Sequence, residues 1–187
     1  LVTRNEYGRV RCCEEAWVGR SRLIAFQGEL ADGLREVYLV DAAIGSDSIR
    51  RLTNTENHRF PGLAGPRHWL RSSPDGARIG FMKKDDAGIV QFWTVCPDDA
   101  RDLRQITHGP HPVASAFTWH PDGKRVAFVM NNRVCLCNVD TWDVQTITET
   151  ESDPIRPEAC VVSPDGKRIA FARQRSDGNQ IMVVDVA

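Results

Sequence analysis

Hydrophobic residues along the chain fall in short runs separated by polar turns that contain Gly, Asp and Asn. Runs of this length, rich in β-branched and aromatic residues, are typical of β-strands. Pro or Gly interrupts every stretch that could otherwise form an amphipathic helix. The pattern therefore predicts an all-β chain.

One block of sequence recurs at regular intervals. It occurs as Ser73–Phe81, His120–Phe128 and Ser163–Phe171, each with Pro-Asp-Gly after the first residue, and in a diverged form as Val18–Phe26. The three close copies begin 47 and 43 residues apart. This period is typical of the four-stranded antiparallel blade of a β-propeller.

Each repeat predicts four strands, which we name a to d. Strand a precedes the Pro-Asp-Gly turn and strand b follows it, since Pro, Asp and Gly each suit a tight hairpin. Strand c follows a second polar turn, and strand d is a short, charged outer strand that ends in Leu-Thr or Ile-Thr. The predicted blades span residues 10–53, 66–107, 113–148 and 157–187, the last completed by residues 1–3.

The predicted blade count is compatible with two arrangements, a closed four-bladed ring and a section of a larger ring. We favour the section, because Leu1 is not a natural start. The chain starts at Leu1 without a Met, a basic segment or an apolar segment typical of a leader, so we expect a signal peptide to be either absent or removed. The 187 residues form a single propeller unit in either arrangement.

Composition and charge limit the classes of partner that the chain is expected to bind. The chain has 24 basic and 25 acidic side chains, so it presents no bulk charge for nucleic acid. No apolar run is long enough to span a membrane. The six cysteines form no CxxC pair and are expected to pack as small hydrophobes, which favours a reducing compartment.

The repeats resemble those of the TolB-like propellers, whose WD-like pattern is Ser-Pro-Asp-Gly-Lys-x-Ile-Ala-Phe with a terminal Leu-Thr. The stretch from Gly65 to Gly76 is similar to an uncharacterised bacterial YidR-like branch. The resemblance implies the propeller fold and suggests the periplasm, which leaves the compartment open. Such families include protein-binding modules, propeller halves of serine peptidases and metal-dependent oligogalacturonate lyases, and fold alone does not choose among them.

Candidate binding residues gather in the d-to-a connectors, which share one face of a propeller with the b-to-c turns. The connector residues are His58, Arg59, Arg67, His108, His111, Arg156 and Glu158, and His68 joins them at the head of a strand a. The arginines would suit carboxylate or phosphate groups, so we predict that this face binds a protein or a small acidic ligand. Counting back from the turns puts His68, Ser115 and Glu158 at one level, which faces either the channel or a neighbouring blade. We expect it to face the channel. Simple loop polarity is the alternative.

Catalytic patterns are not found in the sequence. There is no Gly-x-Ser-x-Gly, and the turn residues Ser73, His120 and Ser163 are expected to bond the turn backbone. No HxH or HExxH fixes a metal, so no cofactor is predicted. The favoured function is a non-catalytic binding module. The alternative is a metal-dependent enzyme of the oligogalacturonate lyase type, and a third hypothesis is the propeller half of a larger peptidase.

Overall fold

A computed structural model of the chain describes residues 11–30, 32–65, 69–158 and 160–186. These residues form fifteen β-strands and no helix, so the predicted all-β class is confirmed. Every strand pairs antiparallel with its neighbour in sequence within one of four sheets. Consequently, no helix in the described part of the chain is able to cross a membrane.

The first sheet contains β1 (Arg11–Trp17), β2 (Leu23–Glu29), β3 (Arg35–Asp41) and β4 (Gly45–Arg51). The second contains β5 (Leu70–Ser72), β6 (Ile79–Lys84), β7 (Val90–Cys96) and β8 (Asp99–Gln105). The third contains β9 (Thr118–Trp119), β10 (Arg125–Met130), β11 (Arg133–Asn138) and β12 (Val144–Thr146). The fourth contains β13 (Val161–Val162), β14 (Arg168–Arg175) and β15 (Gly178–Asp185).

The four sheets are the blades of a propeller-like fold, and the described residues do not close it into a ring. The a strands of successive blades, β1, β5, β9 and β13, contact one another in chain order. The blades are therefore stacked side by side through their broad faces. The prediction that residues 1–3 complete the last blade concerns residues outside the described ranges.

The repeated turns close the a-to-b hairpins as predicted. In the three Pro-Asp-Gly copies the glycine N–H donates to the carbonyl of the first turn residue at 2.8–3.0 Å, with glycine φ near +75°. The diverged copy has the matching turn bond, from Ser21 N–H to the Val18 carbonyl. A second bond, from Val18 N–H to the Leu23 carbonyl, closes its hairpin. All four repeats thus fold into the same hairpin.

The threonine that ends strand d holds strand c. The hydroxyls of Thr53, Thr107 and Thr148 accept the backbone N–H groups of Val37, Phe92 and Val134, at 2.8–3.0 Å. These N–H groups lie just beyond the end of the c-to-d ladder, where a backbone partner is lacking. The Leu-Thr or Ile-Thr ending therefore caps each ladder with a side chain.

Strand a is shorter than predicted in the third blade. The third blade is predicted to begin at residue 113, but only Thr118 and Trp119 pair with β10 as its strand a. The Ser115 hydroxyl accepts the N–H of Val129 at 2.8 Å, in place of a backbone carbonyl. This side-chain bond diverts the backbone from the ladder before it turns into β9.

The hydrophobic core lies between blades. Each repeated phenylalanine, Phe26, Phe81, Phe128 or Phe171, belongs to a different buried cluster, as predicted for an inter-blade residue. Three of the clusters each lie between two successive blades. The earlier blade contributes residues of its strands b and c, and the later blade contributes the phenylalanine on the sheet face that packs against them. Each buried phenylalanine contributes about 1.5–3 kcal/mol of hydrophobic stabilisation.

The fourth blade presents an uncovered apolar face. Val161, Ile181 and Val183 are 55%, 74% and 60% exposed. In the third blade the residues at the positions of Ile181 and Val183 are Val134 and Leu136, which are buried against the fourth blade. Ile181 and Val183 thus occupy positions that pack against a neighbouring blade elsewhere in the fold.

Candidate functional site

The d-to-a connectors run across the end of the blades where strand b meets strand c. In each connector one residue forms an isolated bridge with the end of the following blade's strand b. The bridges join Leu63 to Lys83, Val113 to Met130, and Ile155 to Arg173. The predicted binding residues that the structure describes therefore lie on loops fixed to this end, which we call the connector face.

A buried lysine fastens the first connector. Lys83 is 1% exposed, and its Nζ donates to the carbonyls of Phe60 at 3.0 Å and Lys84 at 2.8 Å. Burial lowers the pKa of Lys83, although nearby acidic groups including Asp86 oppose this effect. The Nζ also lies 5.1 Å from the centre of the Trp93 ring, where a cation is favoured.

A buried arginine likewise holds the third connector through a hydrogen bond. Arg173 occupies the equivalent strand-b position, two residues after the repeated phenylalanine, and is fully buried. Its Nη1 donates to the Asp153 carbonyl at 2.5 Å, and its Nη2 lies 3.7 Å from a Glu151 carboxylate oxygen. Sequence reasoning missed both cations, although their shared offset from the phenylalanine was a usable signal.

A buried carboxylate adds a second anchor to the first connector. Glu36 is fully buried and its Oε1 accepts the backbone N–H and the hydroxyl of Thr55, both at 2.8 Å, and the Arg51 Nη2 at 2.9 Å. Its Oε2 accepts the Thr53 hydroxyl at 2.5 Å. A charge buried this deeply is tolerated because each oxygen has hydrogen-bond partners.

The second blade replaces this carboxylate with an amide. Gln91 is fully buried, and its Oε1 accepts the Thr107 hydroxyl at 2.6 Å. Its Nε2 donates to the Gly109 carbonyl at 3.0 Å, which ties down the second connector. All three connectors are thus held by buried polar side chains of the blades beneath them.

Two of the binding residues predicted in the first connector, His58 and Arg59, contact different parts of the protein. The half-buried His58 ring lies 6.5 Å from the Trp93 ring, centre to centre. Arg59 is exposed and donates to the Asp86 carbonyl at 3.1 Å. Arg67 and His68 lie outside the described residues.

The other two connectors carry the remaining predicted residues. His108 and His111 are exposed, and His108 Nδ1 lies 3.1 Å from the amide nitrogen of Gln105. Arg156 Nε lies 3.5 Å from a carboxylate oxygen of Glu158, so these two charges form an ion pair. Within the ranges that the structure describes, no three His, Cys, Asp or Glu side chains are grouped to hold a metal ion.

Ser115 does not face the channel, contrary to expectation. Its side chain is fully buried, and its hydroxyl donates to the Ala116 carbonyl at 2.7 Å while accepting the Val129 N–H. Packing of the connector against strand b turns this residue inward. Glu158, predicted at the same level, instead keeps 40% of its side chain exposed beside Arg156.

The nucleophilic side chains are committed to structure. Ser73 and Ser163 donate to Asp75 and Asp165 at 2.6 Å and accept the backbone N–H that closes each turn, as predicted. The cysteines whose side chains are described, Cys13, Cys96, Cys135, Cys137 and Cys160, are free thiols. Burial raises the pKa of Cys137 and Cys160 to about 12, so neither is a reactive thiolate at neutral pH.

A cavity of about 310 Å³ opens at the opposite end of the blades, between the first two a-to-b hairpins. Val18, Asp75 and Asp98 are among its lining residues. Sequence reasoning did not find this cavity, because it is formed by turns that are more than fifty residues apart in the chain.

The fold is similar to that of solved TolB-like propellers. TolB from Acinetobacter baumannii superposes with a TM-score of 0.66 at 20% identity, covering 91% of this chain and 40% of that one. An oligogalacturonate lyase from Vibrio parahaemolyticus superposes with a TM-score of 0.58 at 12% identity, covering 92% of this chain and 53% of that one. These likenesses concern the fold.

In sequence, the chain is similar to the uncharacterised protein YidR of Escherichia coli strain K12. The two are 38% identical over 94% of this chain and 48% of YidR. The chain therefore spans about half the length of this curated relative. No family model matches it. The predicted resemblance to TolB-like propellers and their YidR-like branch is confirmed.

Proposed function

We propose that this TolB-like propeller is a non-catalytic module that binds a protein partner through its connector face. The observation that supports this is the anchoring of the connectors by the buried side chains of Lys83, Glu36, Gln91 and Arg173. Loops held in this way lose little conformational entropy on binding, which favours affinity. Arg59, His108 and His111 extend from these loops into solvent.

A protein partner fits the charges of this face better than a small acidic ligand. Arg156 is already paired with Glu158, and Arg59 donates to a backbone carbonyl. A small anion would have to compete with these contacts for the guanidinium groups. A protein surface with charges of both signs can instead extend the existing pairs.

The test is site-specific photo-crosslinking in the native host. The amino acid p-benzoylphenylalanine would replace His111 or Arg59 on the connector face, with matched exposed controls at Lys124 and Lys167 in the a-to-b turns of the opposite face. We expect one discrete adduct from the connector positions and none from the controls. The adduct partner, once purified, should bind the 187-residue chain directly. Equal crosslinking from both faces would contradict the proposal.

The alternative function is a metal-dependent lyase. It draws support from the likeness in fold to the oligogalacturonate lyase. It would require metal ligands from separate connectors, such as His58 and His108, to converge with His68. Elemental analysis of the purified chain, followed by calorimetric titration with Mn²⁺, separates the two functions. About one tightly bound ion per chain, lost in His68→Ala, would favour the lyase over the binding module.

A further inference from the structure

The c-to-d turn of the third blade has a tryptophan where the first blade has a glycine. Trp142 adopts φ +66°, and Gly45, at the equivalent turn position, adopts φ +79°. The equivalence follows from matching bonds, since Asp41 and Asn138, each four residues earlier, accept the backbone N–H two residues ahead. A bulky side chain is strained in this left-handed conformation.

Burial does not compensate for this strain. Trp142 is 51% exposed, and its ring lies 6.0 Å from the ring of His108, centre to centre. Val144, two residues later, is 41% exposed. A strained and exposed aromatic residue beside another exposed apolar side chain is a feature of binding surfaces rather than of structural turns.

The adjoining strand is an open edge without the usual protection. All three residues of β12, from Val144 to Thr146, are exposed and uncharged. The outer strands of the first two blades, β4 and β8, each carry acidic and basic side chains. Charged side chains discourage an edge from pairing with another chain, so β12 is the less protected edge of the three.

The hydrogen bonds to β11 show which backbone groups of β12 face outward. Ile147 N–H donates to the Val134 carbonyl at 2.8 Å, and Asn138 N–H donates to the Asp143 carbonyl at 2.9 Å. Since inward and outward positions alternate along an antiparallel strand, Val144 and Thr146 direct their N–H and C=O groups away from β11. These two residues offer two donors and two acceptors to a further strand.

Acidic side chains flank this edge at both ends. Asp140 and Asp143 precede β12 and Glu149 follows it, and none forms an ion pair with any residue that the structure describes. No Lys or Arg occurs in the sequence from 138 to 153. Pairing of β12 with a second copy of itself in antiparallel fashion would bring like charges together, which is unfavourable. A strand with basic ends would be attracted.

We propose that the β12 edge binds an extended peptide as a fifth strand of the third blade, with Trp142 as an apolar anchor. The peptide carries β-branched or aromatic residues in its centre and Lys or Arg on both sides. Backbone hydrogen bonds to Val144 and Thr146 supply the pairing, and the basic ends meet the acidic flanks. This surface adjoins the connector face, because the Trp142 ring lies beside the ring of His108. The inference does not rest on the proposed function.

The test uses the 187-residue chain and a fluorescein-labelled peptide of alternating valine and threonine with paired lysines at each end. Binding is measured by fluorescence anisotropy. Two variants remove different parts of the surface. Thr146→Pro removes an outward N–H without taking a donor from the β11 ladder, and Trp142→Gly removes the anchor. We expect each to weaken peptide binding about tenfold or more. Trp17→Ala, at another exposed tryptophan, should leave binding unchanged.

Stability separates a binding role for Trp142 from a structural one. Because glycine fits the left-handed turn, Trp142→Gly should raise the thermal unfolding midpoint while it weakens binding. N-methylation of alternate peptide amides, or glutamate in place of the lysines, should abolish binding. Binding that survives either change or both variants would overturn the proposal, as would no anisotropy change up to about 1 mM peptide. A chain dimer dispersed by Thr146→Pro would instead identify a second copy as the occupant.

Discussion

Substitution of Gly166 by alanine should disrupt the contact between the third and fourth blades. Gly166 lies in the a-to-b turn of the fourth blade at φ +74°, and an added Cβ would lie 2.4 Å from Nε2 of His120 in the third blade. His120 is 6% exposed, and its Nε2 is 3.0 Å from the Gly166 carbonyl. His120 was predicted only as a turn residue, so this contact is an addition to that role.

Two contributions determine how much Gly166→Ala should lower the free energy of unfolding. Alanine in the left-handed region costs about 1 kcal/mol relative to glycine. Overpacking adds about 1–3 kcal/mol, since the His120 ring is held on its other side by Asp122, with 3.0 Å between Nδ1 and a carboxylate oxygen. The free energy of unfolding should therefore fall by about 2–4 kcal/mol. Gly33→Ala isolates the first contribution, because Gly33 has φ +83° and no heavy atom within 4 Å of an added Cβ.

The assay is equilibrium urea unfolding followed by tryptophan fluorescence and circular dichroism, with m-values compared among variants. A second background, His120→Ser, introduces the residue found at this place in two other repeats, Ser73 and Ser163. In that background Gly166→Ala should cost only about as much as Gly33→Ala, near 1 kcal/mol. Equal losses for Gly166→Ala with and without His120 would refute the reasoning.

Three further predictions concern other parts of the fold. Thr107→Val should lower the free energy of urea unfolding by about 1–3 kcal/mol, because the hydroxyl serves the buried N–H of Phe92 and the buried Gln91 amide; Thr107→Ser should recover most of it, and an unchanged stability in Thr107→Val would contradict the cap. Burial opposes ionisation of Asp122, but backbone and guanidinium donors outweigh it and hold its pKa at about 2, below the ordinary 3.8. The stability that ionised Asp122 contributes is therefore present above pH 4 and lost as the pH falls towards 2. Asp122→Asn should make the free energy of unfolding depend less on pH between pH 4 and 2. A steeper loss of stability with acid in Asp122→Asn would contradict this. Ile181→Lys should reduce self-association of the 187-residue chain in sedimentation velocity, since it places a charge on the exposed face of the fourth blade, whereas a wild-type monomer would show that this face is not adhesive.

The candidate site was only partly predictable. The connectors that carry His58, Arg59, His108 and His111 follow from the position of these residues between repeats. Charged residues at the end of a strand are mostly exposed, whereas the anchors Lys83 and Arg173 are buried. Whether such a side chain points into solvent or under a connector depends on how the connector crosses the blade, and local sequence does not specify that path.

The sequence by itself determined the blade and its repetition. Pro-Asp-Gly turns, alternating strands and the repeated phenylalanine are local features, and their physical effects act within one hairpin or one sheet. The tertiary structure alone decided the burial of Ser115, the contact of His120 with Gly166, and the exposure of Trp142. Each of these depends on which neighbouring blade or connector lies against the residue. Such contacts join residues far apart in the chain, so they are set by the stacking of whole blades.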